Sequence, residues 1–119
     1  MKKIIYADDE EMNLAIVEAY LTDQFDLRLI NSGTACLEQL ETEIPDLLLL
    51  DHMMPDLDGL EVLKRLRAED KTRRLKVVIV SANAYNEDRQ QALKLGADDY
   101  LVKPFDEQQL LDTISRNLS

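Results

Sequence analysis

The chain has 119 residues, 45% of them hydrophobic, with a single cysteine and no tryptophan. That length suits one domain burying roughly two-thirds of its unfolded surface, and the lone Cys36 excludes an internal disulfide. The 24 acidic residues outnumber 14 basic ones, for a net charge of −10, which argues against direct nucleic-acid binding. No apolar run approaches the ~20 residues of a membrane helix, so a cytoplasmic domain is expected.

Apolar runs and helical patterns alternate along the chain. Lys3 to Ala7 reads as a strand that stops at Asp8-Asp9-Glu10-Glu11. Met12 to Leu21 follows as a helix with apolar residues at two sets of helical offsets, Leu14, Val17 and Leu21, and Met12, Ile16 and Tyr20. Phe25 to Ile30 is a half-buried strand with Phe25, Leu27 and Leu29 on one side, broken by Asn31-Ser32-Gly33, and Ala35 to Ile44 resumes a helix. Leu47 to Leu50, held between Pro45 and Pro55, is too short for a helix and reads as a strand buried on both faces.

The second half repeats this rhythm. Gly59 to Ala68 is a helix, Leu75 to Val80 a strand, and Asn86 to Leu95 a polar helix with Gly96 as its C-terminal stop. Tyr100 to Val102 forms a last strand, and Asp106 with Gln109 resembles a capping box that opens a final helix through Leu110, Leu111, Ile114 and Leu118. The basic residues between Lys64 and Lys76 read as a solvated helix end with its loop. Five βα units in one domain imply a parallel sheet with right-handed crossovers and helices on both faces. Its ligand site is then expected beyond the carboxyl ends of the strands, where the strand order reverses.

The residues at those ends are chemically coherent. The first strand ends in Asp8-Asp9, the third in Asp51, the fourth in Ser81-Ala82 and the fifth in Lys103-Pro104. Two like charges 4 Å apart cost about 4 kcal/mol at an effective dielectric of ~20, so such a cluster must bind a cation, hold a proton or sit beside a base. Oxygen ligands without His or Cys point to Mg²⁺ rather than zinc. With Lys103 and Ser81 alongside, Asp51 is placed to attack a phosphorus while metal and ammonium neutralise the phosphoryl oxygens.

Asp8-Asp9, the run LLLLDHMMPDLDG from Leu47 to Gly59, Ser81-Ala82, and Gly96 to Phe105 together resemble a response-regulator receiver domain, over the whole of residues 1–119. The resemblance implies the flavodoxin-like strand order 2-1-3-4-5 and Asp51 as phospho-acceptor. It further implies direct Mg²⁺ coordination by Asp9, Asp51 and the backbone carbonyl of Met53, with Asp8 acting mostly through water. Lys103 would pair with Asp51 and then with the phosphoryl group, across a cis Lys103-Pro104 peptide. Ser81 and Tyr100 would be the switch residues. The implied partners are a sensor histidine kinase or histidine phosphotransfer protein, and a downstream target or output domain. The moving surface would be that of the fourth helix, fifth strand and fifth helix, with Tyr85, Glu87, Arg89, Gln90, Lys94, Gln108, Asp112 and Arg116 exposed on it. Dimerisation on phosphorylation would have to rest on local apolar and ion-pair contacts, because the protein is already acidic.

Plainer readings exist for several residues. Asp8 and Asp9 could cap the first helix, His52 reads as a solvent-facing loop residue, Cys36 as a small packed residue, and Asp56 and Asp58 as turn and cap residues. An aspartyl phosphatase would want an acid two residues after its nucleophile, where this chain has Met53, and a flavin phosphate would be repelled by residues 8–11. An unphosphorylated interaction module is the remaining rival. The sequence leaves open whether this is a single-domain regulator or the N-terminal part of a longer protein, tilting slightly toward the first.

Overall fold

A computed structural model describes residues 1–118. Its elements are β1 (Lys3–Ala7), α1 (Glu11–Leu21), β2 (Asp26–Ile30), α2 (Gly33–Thr42), β3 (Leu47–Asp51), α3 (Gly59–Ala68), β4 (Val77–Ser81), α4 (Asn86–Lys94), β5 (Asp99–Val102) and α5 (Glu107–Leu118). All strands are parallel, in the order β2-β1-β3-β4-β5. This is the doubly wound, flavodoxin-like arrangement, with the order reversing between β1 and β3. No helix of the described residues is long and apolar enough to cross a membrane.

Strand side chains point alternately to opposite faces, so each strand feeds two cores. Ile5, Ala7, Leu48, Leu50, Val77 and Ile79 pack with Cys36, Leu40, Leu63 and Leu66 on the α2–α3 side. Ile4, Tyr6, Leu47, Leu49, Val78 and Val80 pack with Val17, Leu21, Leu110 and Ile114 of α1 and α5. Ile4 sits opposite Leu47 and Ala7 opposite Leu50, so one further step brings Asp8 beside Asp51. The same parity carries Tyr6, Asp8 and Asp51 to the α1–α5 side, whereas Ser81 continues the Val77 and Ile79 row toward the other.

The helix starts are specified locally and across the chain. Asp106 Oδ1 accepts from Gln109 N at 2.8 Å and Gln109 Oε1 accepts from Asp106 N at 2.9 Å, completing the expected capping box. Asp58 caps α3 through Leu60 N at 2.7 Å, and Ser32 caps α2 through Ala35 N at 3.0 Å. Gly96 has φ of 109°, the left-handed conformation wanted after α4. Asp56 does more than turn the chain: it accepts from Gly33 N at 3.1 Å and Thr34 N at 2.9 Å, tying the loop after β3 to the start of α2.

Those donors, Thr34 foremost, hold the Asp56 carboxyl down at about 2. Asp56→Ala is therefore expected to cost about 1 kcal/mol, in the range of lost helix caps. Because the folded pKa lies below the unfolded one, that contribution is present above pH 3.8 and is lost as pH falls through about 2. Urea midpoints of both proteins across this range would check it.

Tertiary packing corrects several boundaries and faces. Phe25 lies before β2, its N–H bonded to Leu21 O at 3.0 Å, though it still packs beside Leu27 and Leu29. Leu75 belongs to a turn, bonded to Thr72 O, and α2 ends at Thr42, leaving Ile44 exposed. In α1 the Leu14–Val17–Leu21 row faces the core, whereas Met12 is 75% exposed and Ile16 38%. The basic segment is not wholly solvated. Arg67 donates to Gly96 O, Thr72 O and Arg73 O and pairs with Asp98 at 3.1 Å, clamping α3 to the α4–β5 turn. Lys71 Nζ donates to Glu41 O.

Candidate functional site

Two carboxylates and one ammonium meet where β1, β3 and β5 end. Asp51 is 2% exposed and Asp8 fully buried. Lys103 Nζ lies 2.6 Å from Asp51 Oδ1 and 3.4 Å from Asp8 Oδ2, so one cation serves both acids. Asp9, exposed, completes a group in which one oxygen from each of Asp8, Asp9 and Asp51 lies within 4.8 Å of the others. Among the described residues this is the one cluster of metal-ligating side chains so arranged. Three hard oxygen donors and no His or Cys suit a small divalent cation such as Mg²⁺.

The electrostatics follow from this imbalance. Burial pushes the Asp51 carboxyl up to about 6, Asp8 and Asp9 push the same way, and the Lys103 hydrogen bond compensates only in part. Burial pulls the Lys103 ammonium down, yet Asp51 and Asp8 outweigh it and hold its pKa above the usual value. A bound dication would relieve the same excess of negative charge.

Asp8 is tightly engaged. Its Oδ1 accepts from Glu10 N at 2.9 Å and its Oδ2 from the Tyr6 hydroxyl at 2.5 Å. The Glu10 bond is a turn at the start of α1, so Asp8 does part of the capping work. Glu10, at the N-cap position, makes no side-chain cap. Burial and the Asp8 hydrogen bond drive the Tyr6 phenol far above its ordinary range, so it remains a donor. Tyr6 is the site neighbour that periodicity alone passed over, since an aromatic inside a strand reads as packing. Its spacing of two residues from Asp8 was the available signal.

Ser81 is 2% exposed and its Oγ accepts from Asn83 N at 3.1 Å. Tyr100, 4% exposed, turns inward and donates its hydroxyl to Asn83 O at 2.9 Å. The two expected switch residues thus meet on one loop, through the backbone of Asn83. Met53 stands two residues after Asp51 with its side chain 66% exposed, leaving only its backbone as a candidate ligand. The Lys103–Pro104 peptide is cis. His52 is not solvent-facing: its side chain is 13% exposed, Nε2 lies 3.6 Å from Asp58 Oδ2, and Nδ1 is buried without a partner. A groove of about 320 Å³ opens beside Lys103, lined among others by Ile16, Asn13, Ala82 and Phe105.

The response regulator receiver domain model matches residues 4–115. The chain belongs to this family. The receiver is 34% identical over 119 residues to the phosphate regulon transcriptional regulatory protein PhoB of Rhizobium meliloti, covering 99% of this chain and 52% of that protein. It superimposes with a TM-score of 0.90 and 30% identity on the receiver domain of sensor histidine kinase PA1611 from Pseudomonas aeruginosa, over 98% of this chain and 97% of the other. That crystal structure has magnesium coordinated in its active-site cleft. The TM-score is 0.94, at 26% identity, with the chemotaxis response regulator CheY4 of Vibrio cholerae, covering 99% of both chains. The receiver spans between about a quarter and a half of the curated relatives it matches.

Proposed function

We propose that this receiver, acting as one unit over residues 1–119, accepts a phosphoryl group on Asp51 from a phosphohistidine protein and switches its α4–β5–α5 surface in response. The observation that carries the reading is Lys103 Nζ at 2.6 Å from the buried Asp51 with Asp8 and Asp9 alongside, at the point where strand order reverses. Such a carboxylate is held ready as a nucleophile, in surroundings built to gain a cation and accept an anion.

The chemistry needs few parts. A carboxylate oxygen of Asp51 forms the new O–P bond as the histidine N–P bond breaks, and the departing imidazole leaves with the electron pair and takes up a proton. Mg²⁺ held by Asp9, Asp51 and the Met53 carbonyl, with Asp8 through water, would neutralise charge on the transferring phosphoryl oxygens. Lys103, freed from Asp51, can follow to a phosphoryl oxygen. Ser81 can offer its hydroxyl to another without losing the Asn83 N–H bond, in which it is the acceptor. Reversal with water in place of histidine would return the resting carboxylate. The catalysis is thus of its own phosphorylation and dephosphorylation.

The donor would approach across α1, where Ile16 and Phe105 border the groove next to Lys103. Exposed Met12 lies one helical turn before Ile16 on α1. The response would pass from Ser81 through Asn83 to Tyr100 and so to α4 and α5. Asp99 links those elements, paired with Arg116 at 2.8 Å and with Arg89 at 4.0 Å, while Tyr85, Glu87, Gln90, Lys94, Gln108 and Asp112 are exposed for an output domain or downstream target.

Intact mass after incubation with acetyl phosphate tests the proposal. The expected result is a gain of one phosphoryl group that requires both Mg²⁺ and Asp51 and is absent from Asp51→Asn. No gain, together with no binding of beryllofluoride, would instead favour a receiver that works only as an interaction surface.

A further inference from the structure

We propose that Tyr6 is a positioning residue for the metal site, holding the Asp8 carboxylate in its binding orientation from inside the core. The inference rests on the reading of Asp8, Asp9 and Asp51 as the Mg²⁺ site.

The geometry begins with strand parity. Ile4, Tyr6 and Asp8 follow one another on the α1–α5 face of β1, so the phenol lies directly behind the carboxylate. Tyr6 is fully buried among Val17, Leu21, Leu49, Val80 and Leu110, where a ring needs no hydroxyl to pack. A buried phenolic O–H must find an acceptor, and it finds Asp8 Oδ2 at 2.5 Å, as short as charge-assisted O–H bonds become.

Counting lone pairs shows the consequence. A carboxylate has about four acceptor directions. Asp8 Oδ2 takes Tyr6 and Lys103, and Oδ1 takes Glu10 N. One direction, on Oδ1, is left for the cation or its water. The two other donors are poor anchors. Lys103 must be free to follow the phosphoryl group, and the Glu10 N–H belongs to the loop that carries Asp9. Tyr6, fixed by the core, is the donor that does not move with ligand state. Groups that hold a metal-binding carboxylate in this way are typically worth 10–100-fold in metal affinity.

The test is calorimetric titration with Mg²⁺ alone of wild type, Tyr6→Phe, Asp8→Asn and the double variant. Tyr6→Phe is expected to raise the Mg²⁺ dissociation constant about tenfold, and to add nothing further once Asp8 is Asn. A purely structural role would lower thermal stability in both backgrounds and leave the dissociation constant in place; that outcome overturns the inference. Proton NMR of the wild type provides a check that does not depend on the variant folding. A slowly exchanging, far-downfield hydroxyl proton assigned to Tyr6, shifted by Mg²⁺, is expected, and its absence overturns the inference. A wild type that takes up no Mg²⁺ would overturn the metal-site reading itself, whereas wild-type binding unaltered by Tyr6→Phe overturns this inference alone.

Discussion

Asp51→Asn is expected to make the metal-free protein more stable at neutral pH, by about 1–3 kcal/mol, while abolishing phosphoryl uptake. Two buried carboxylates share Lys103, and the Asp51 carboxyl is pushed from 3.8 up to about 6, chiefly by burial. That rise corresponds to about 3 kcal/mol, at about 1.4 kcal/mol per pH unit. The lower end of the range allows for Lys103 losing its nearer partner, although Asp8 remains 3.4 Å away to pair with it. The folded pKa exceeds the unfolded one, so between them the folded state holds the extra proton and stability falls as pH rises. The wild type therefore has its full stability below pH 3.8 and loses this part of it by about pH 6. Urea midpoints in chelator at pH 4 and pH 7.5 would measure the difference. A variant less stable than wild type at pH 7.5 would mean that Lys103 already balances the site. Added Mg²⁺ should stabilise the wild type by mass action and shift the variant much less.

The second large effect is expected at Gly59, the first residue of α3. A β-carbon there would lie 2.2 Å from the carbonyl oxygen of Asp51 and 3.0 Å from His52 Cα. All of these are backbone atoms that no rotamer change can move. The Gly59 N–H also donates to His52 O at 2.8 Å, which holds the helix start against the end of β3. Gly59→Ala must displace one from the other, at a cost of about 3 kcal/mol, the upper end of ordinary overpacking. The same displacement moves Asp51 and Met53, so Mg²⁺ affinity should fall with stability. A denaturant midpoint shifted by less than about 1 kcal/mol, at constant slope, would show that the junction yields more easily than close packing implies.

Much of the site was legible because its residues sit at strand ends, and strand ends are local features. Four apolar residues followed by Asp51, or three followed by Lys103-Pro104, announce themselves in the chain. His52 did not: nothing in HMMPD tells that the imidazole folds inward against α3 rather than out to solvent. Asp56 was readable as a turn residue, but its acceptors for two N–H groups of α2, more than 20 residues away, were not. The same holds for Arg67, one of whose carbonyl partners, Gly96 O, lies 29 residues on.

The sequence by itself determined the succession of strands and helices, the capping residues at Asp58 and Asp106, the stop at Gly96, and the chemical inventory of the site. These depend on periodicity and on contacts within a few residues, where the chain's own geometry leaves little choice. Tertiary structure decided which stripe of α1 is buried, and so that Met12 and Ile16 stay exposed while Val17 and Leu21 do not. It also decided that one lysine serves two acids and that Tyr6 grips Asp8. Both apolar stripes of α1 have helical spacing, and Tyr6 reads as an ordinary strand aromatic. Only the closing of the sheet, which sets the register of β1 on β3 and the face each helix covers, fixes which side chains meet.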